Sequence, residues 1–184
     1  GVTNITETEL QSFLNEGAKD AVANTMKACM EGATTTIAKS ECKSKSAKEA
    51  LATSLGKANV TDVELEEFLK DGAKAAVGEA MSSCVKAANA DKSKLDKCKS
   101  ESARTALENS LGEDVSNADV EMFLQDSAKA SAAEAMKAAM ASSTGNSAAK
   151  EALARGEAKK ALEQSLGVTN ITETELQSFL NEGA

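Results

Sequence analysis

Residues 1–18, GVTNITETELQSFLNEGA, recur without a change at residues 167–184. Chance does not produce an identity of this length, so the chain reads as a window on a parent built of near-identical blocks, or as one block deliberately run past its end. The first reading is the simpler. A shorter period runs inside the block. Phe-Leu stands at Phe13-Leu14, Phe68-Leu69, Phe123-Leu124 and Phe179-Leu180, in steps of 55, 55 and 56 residues. Ser-Leu-Gly stands at Ser54-Leu55-Gly56, Ser110-Leu111-Gly112 and Ser165-Leu166-Gly167. A period of this size is the mark of tandem arrays, in which each repeat buries part of its apolar face on its neighbours. The expected repeats are 1–56, 57–112 and 113–167, with the start of a fourth at 168–184. The reading of one module copied end to end requires the Phe-Leu sites to share one environment, and unlike environments there would count against it.

Each repeat opens on a helix-start signal: Thr6, Thr61, Ser116 and Thr172, each followed three residues later by an acid, Glu9, Glu64, Asp119 and Glu175. The hydroxyl caps orphan amides and the acid closes a capping box. Behind the first cap, Leu10, Phe13, Leu14, Gly17, Ala21, Val22, Thr25, Met26 and Cys29 form a stripe at helical spacing, which predicts one buried face. Gly17, matched by Gly72, Ser127 and Gly183, marks either a tight helix crossing or the end of a short first helix. Polar breaks at 32–36, 89–92 and 142–146 turn the chain. A return limb follows, Ala47 to Leu55 and its equivalents, and stops on Gly56, Gly112 and Gly167, the usual residue for a left-handed helix end.

Composition agrees with helices. Proline is absent, and the apolar stock is small, with four Phe, no Tyr and no Trp. The expected fold class is therefore all-α: a tandem array of helical hairpins of about 55 residues with intra-repeat disulfides.

The disulfide expectation rests on pattern. Cys29 and Cys42, then Cys84 and Cys98, fall one pair per repeat in the same phase, while the third repeat has Ala139 and Leu153 there. Losing both together is what two residues sharing one bond would show. The competing reading is buried free thiols in a reducing compartment. A zinc site is disfavoured, because two thiols per repeat and no His leave the four-ligand set incomplete. A clamp across a loop this short should add about 3 kcal/mol in the chain-entropy treatment.

Asn4, Asn59 and Asn170 each begin an Asn-x-Thr sequon, with Asp114 at the third repeat's equivalent position. If the parent is secreted these are N-glycosylation sites at repeat junctions. The sequon Thr is also the helix cap, so the tripeptide has a second explanation in the turn alone.

No catalytic constellation is visible. Without His, no base of the usual kind serves a Ser or Cys nucleophile, and no Gly-rich phosphate loop occurs. Glu64-Leu65-Glu66-Glu67 reads as a solvated face. Asp91-Lys92-Ser93-Lys94-Leu95-Asp96 lacks the central Gly and final Glu of a calcium loop. The expectation is no enzyme, no metal and no cofactor. A net charge of -8 and a pI near 4.8 argue against nucleic acid or an anionic membrane. No run of apolar residues is long enough to span a bilayer, and no signal peptide is read, one further upstream in a parent staying open. Met26, Met30, Met81, Met122, Met136 and Met140 either line an apolar ligand site or fill irregular gaps in the core.

The phrase Ser46-Ala47-Lys48-Glu49-Ala50-Leu51-Ala52-Thr53-Ser54-Leu55-Gly56 resembles repeats of the very long polyproteins of protists such as dinoflagellates. The resemblance covers the return limb of each repeat and implies a long tandem architecture without catalytic activity. The function expected is structural: a fibre, filament or scaffold that is extracellular, at the cell surface or in a secretory lumen. Its partners would be neighbouring repeats and identical chains. The alternatives are a tandem carrier of small apolar ligands and a protein-binding solenoid.

Overall fold

The computed structural model describes residues 6–143 and 146–182, and these residues form helices joined by short turns, with no strand among them. Thr6 caps α1 (Glu7–Gly32) through a complete capping box, and the acids Glu7 and Glu9 in its first turn complement the helix dipole. The helix is unbroken across Gly17. A Cβ added there, or at Gly72, would meet nothing within 4 Å, so neither glycine marks a crossing or a helix end. The close approach is at Gly78, where a Cβ would lie 2.6 Å from Ser127 Oγ. Gly183 lies outside the described residues.

The return limb begins well before Ala47. Thr35 accepts a hydrogen bond from the Ala38 amide and opens α2 (Thr36–Glu41). The chain continues as a π-helical segment, π1 (Cys42–Ala47), and then as α3 (Lys48–Leu55), which ends on Gly56 at φ 63°. The same order follows in α4 (Asp62–Ala88), α5 (Lys92–Lys97), π2 (Cys98–Ala103) and α6 (Arg104–Leu111). The third pair differs. α7 (Asn117–Ser142) is followed by a return limb, α8 (Ser147–Leu166), that is α-helical throughout, and α9 (Glu173–Glu182) completes the described chain. Gly112 and Gly167 stop their limbs in the left-handed region at φ 70° and 59°, a conformation that costs a residue with a Cβ on the order of 1–2 kcal/mol.

The chain forms two compact units. One comprises residues 1–73 and 108–114, the other 74–107 and 115–184. In the first, Ala18, Val22 and Met26 of α1 are buried together with Cys42, Ala47 and Leu51 of the return limb, and α1 packs along π1 and α3. In the second, α7 packs along α8. Ala128, Ala132, Ala158 and Leu162 there form a cluster with Ile171 and Leu176, and Phe179 and Leu180 of α9 pack against it.

Candidate functional site

Two kinds of feature stand out from the scaffold: the sulfur clamps beside the hairpin turns, and the contacts that join each hairpin to the helix beginning the next.

The winding of the return limb decides what reaches the clamp. In a π segment hydrogen bonds run from i to i+5, so residues five apart share a side. Cys42 with Ala47, and Cys98 with Ala103, are such pairs, and all four are buried. Cys42 thus faces Cys29 on α1, with the two Cα atoms 5.7 Å apart and the sulfurs at disulfide distance. Cys98 faces Cys84 with the same 5.7 Å separation. The cysteines are all paired. In α8, which has ordinary α winding, the buried pair is Ala154 with Ala158, four residues apart. Leu153, at the position of Cys42 and Cys98, is turned outward and is 47% exposed, while Ala154 is 0% exposed. The third hairpin therefore replaces the sulfur clamp with close alanine packing and a shift of one residue in the buried stripe. Nothing in the cysteine pattern announces that shift.

The caps are built alike. Thr61, Ser116 and Thr172 accept from the amides of Glu64, Asp119 and Glu175 at 3.2, 3.2 and 3.3 Å. Their own amides donate back to those carboxylates at 2.9, 2.9 and 2.7 Å. Thr6 and Glu9 make the same reciprocal pair. These bonds favour the ionised acid and hold it below its ordinary value: at Glu9 chiefly through the Thr6 amide, at Asp119 and Glu175 chiefly through the cap hydroxyl. At Glu64 the Lys57 ammonium is the larger cause and, with Thr61, takes the carboxyl down to about 2. Asp91, the first residue of the stretch that lacks the Gly and Glu of a calcium loop, is the cap of α5, accepting from the Lys94 amide at 3.2 Å. Asn146 caps α8 in the same way. The start of the return limb was hidden because its first residues are polar and read as loop.

Junction contacts occur twice. In the first unit Lys19 pairs with Asp71 at 3.1 Å. In the second, Lys74 pairs with Asp126 at 3.6 Å. A Cβ on Gly112 would lie 2.8 Å from Met26 Cε and 3.3 Å from Lys43 Cβ. A Cβ on Gly167 would lie 3.1 Å from Met81 Cε and 3.4 Å from Lys99 Cε. Lys43 also reaches Glu66 at 3.3 Å and Glu113 at 3.4 Å, and Lys39 reaches Asp114 at 2.8 Å, a hydrogen bond that raises the Lys39 ammonium above its ordinary value. Further down the chain Arg155 takes the carboxylate of Glu173, at the start of α9, and the side chain of Gln177.

Of the sequons, Asn59 and Asn170 are exposed, Asn170 with φ 64°, and Asn4 lies outside the described residues. Met26, Met30 and Met81 are buried, Met136 packs at the edge of the α7–α8 cluster, and Met122 and Met140 stand on the surface. They do not share one lining. Hollows in the second unit, one beside Leu124, Leu166 and Phe179, one beside Val85, Leu95 and Val168 and one beside Cys84 and Ala88, measure about 150, 210 and 230 Å³. Sites for drug-sized ligands run to roughly 300–1,000 Å³. Among the described residues no group of three or more Cys, Asp or Glu is arranged to hold a metal ion, and no helix is long and apolar enough to cross a membrane.

No family model, curated protein or solved structure matches the chain.

Proposed function

We propose that the chain is a stretch of a structural tandem-repeat protein, a fibre, filament or extracellular scaffold in which helical hairpins of about 55 residues follow one another. The observation that carries this reading is the recurrence of the junction: Lys19 with Asp71 and then Lys74 with Asp126, Gly112 over Met26 and then Gly167 over Met81. A contact that repeats at the sequence period is what a chain extended by copying needs, because each hairpin alone is too small to bury a large core. The return-limb likeness to long protist polyproteins points the same way.

The clamps suit such a chain in an oxidising setting, at the cell surface or in a secretory lumen, where disulfides persist. Under load a hairpin closed by a disulfide cannot release the residues inside the closed loop. With cysteines 13 and 14 residues apart, each clamp withholds about 40 Å of extension, taking about 3.4 Å per residue. The array would yield in small steps and regain its folded length. The test is the natural parent protein. Its intact mass and thiol count should give a chain several blocks long with its cysteines oxidised. A single short monomer, or free thiols before any reductant is added, overturns the reading.

A further inference from the structure

Where both copies of the repeated sequence are described, at residues 6–15 and 172–181, they occupy unlike environments. In the second copy, Leu176 is 1% exposed and Phe179 and Leu180 pack against the cluster of Ala128, Ala132, Ala158 and Leu162 on α7 and α8. In the first copy the equivalent residues of α1 are open: Leu10, Phe13 and Leu14 are exposed, Phe13 by 69%. Identical sequence means an identical apolar pattern, so the α1 face has a known complement in the α7–α8 cluster.

We infer that the Leu10–Phe13–Leu14 face of α1 is a docking surface whose occupant is the α7–α8 hairpin of a second copy of this block. The inference deepens the array reading and rests on it for its setting. It names the interface that joins one block to the next. The contact is heterologous, plug to socket, and one block offers both halves, so block can add to block without the contact being used up. In the 184-residue chain the socket is already filled by α9, which is tethered and competes at an effective concentration on the order of millimolar. The chain is therefore expected to be monomeric until α9 is displaced. The capping box travels with the plug: Thr6 and Glu9 make the bonds that Thr172 and Glu175 make in the docked copy. The helix start is thus ready before docking.

The test uses the full chain. Leu176→Asp with Leu180→Asp should loosen α9, and sedimentation should then show mass rising with concentration. Adding Leu10→Asp and Leu14→Asp should return it to monomer. A fluorescent peptide of residues 1–18 should bind the loosened variant at least tenfold more tightly than the unaltered chain, and the same peptide carrying both Asp substitutions should not bind. If the loosened variant loses helicity, the milder Leu180→Ala chain takes its place in the peptide titration: saturable binding abolished by the two Asp substitutions supports the interface, and no binding up to millimolar peptide overturns it. A helical loosened variant that stays monomeric and ignores the peptide overturns it as well. That outcome leaves the array reading to the mass of the parent protein, whereas a short parent overturns the array and leaves this interface to the titration.

Discussion

The first and third hairpins have return limbs of the same length, Thr36–Leu55 and Ser147–Leu166, yet they are closed by different means. The first winds one segment as a π-helix, buries Cys42 and ties it to Cys29; the third stays α-helical, buries Ala154 and leaves Leu153 on the surface. The difference teaches that the covalent clamp and the local winding belong together. With i to i+5 bonding the cysteine and the alanine five residues on face the same helix. With ordinary winding the inward place moves to the next residue, where alanine permits close approach. Cys84 and Cys98 follow the first pattern.

The largest effect should come from removing a clamp. Cys29→Ala with Cys42→Ala should cost about 3 kcal/mol of stability in that hairpin, from a closed loop of 13 residues, and leave the α7–α8 hairpin unchanged. Denaturant unfolding followed by a probe in each hairpin measures this, and equal losses in both would break the comparison.

Next is Gly112→Ala. Left-handed backbone costs on the order of 1–2 kcal/mol at Gly56 and Gly112 alike, but only at Gly112 does the new Cβ meet Met26 Cε at 2.8 Å and the Lys39 carbonyl oxygen at 3.1 Å. Thermal melts should place G112A below G56A. The reverse order would mean that Gly112 does not pack as described.

A smaller effect is expected from grafting the clamp onto the third hairpin. Ala139→Cys with Leu153→Cys places one thiol on an outward-facing position, so the pair should oxidise poorly and add well under the roughly 3 kcal/mol of a native clamp. Free-thiol titration reads the result. Full oxidation with a full gain would show that winding does not gate the clamp.

Acid should weaken the four helices whose caps carry an acid, without distinguishing clamped from unclamped hairpins. The cap acids Glu9, Glu64, Asp119 and Glu175 are held below their ordinary values in the folded chain, so the unfolded chain binds protons first as pH falls. Their contribution is present above about pH 4.5 and is lost downward, for Glu64 toward about pH 2. Helicity measured across that range should fall on acidification. A rise would contradict the sign.

Legibility followed locality. The Thr-x-x-Glu starts and the glycine stops can be read because each is a short-range rule, and the structure makes the hydrogen bonds and left-handed turns those residues favour. The paired absence of both cysteines in the third hairpin, with Ala139 and Leu153 in their places, can be read from the sequence as well. What was hidden depended on packing. The limb from Thr36 to Ala47 is mostly polar, with Ile37 exposed, and reads as loop, although Thr35, Asp91 and Asn146 cap its start and those of its equivalents. The π segments share Cys-Lys-Ser-x-Ser-Ala, but no local rule turns that sequence into a π winding. Gly17 drew attention while Gly78, which carries the close contact, lay in a helix with no break to mark it. The Phe-Leu sites, expected to be alike, are not: Phe13 is exposed, Phe123 is buried, and Phe68 and Phe179 lie between. Burial there depends on what lies opposite, which a local pattern does not state.

Hydrogen–deuterium exchange of the native chain with and without reductant decides whether the sulfur clamps hold the hairpins that carry them, because it reads each hairpin separately. Reduction should raise exchange around residues 29–47 and 84–103 and leave 139–143 and 146–158 as they were. Equal loosening in all three segments, or none in the two that carry cysteines, would contradict such a hold.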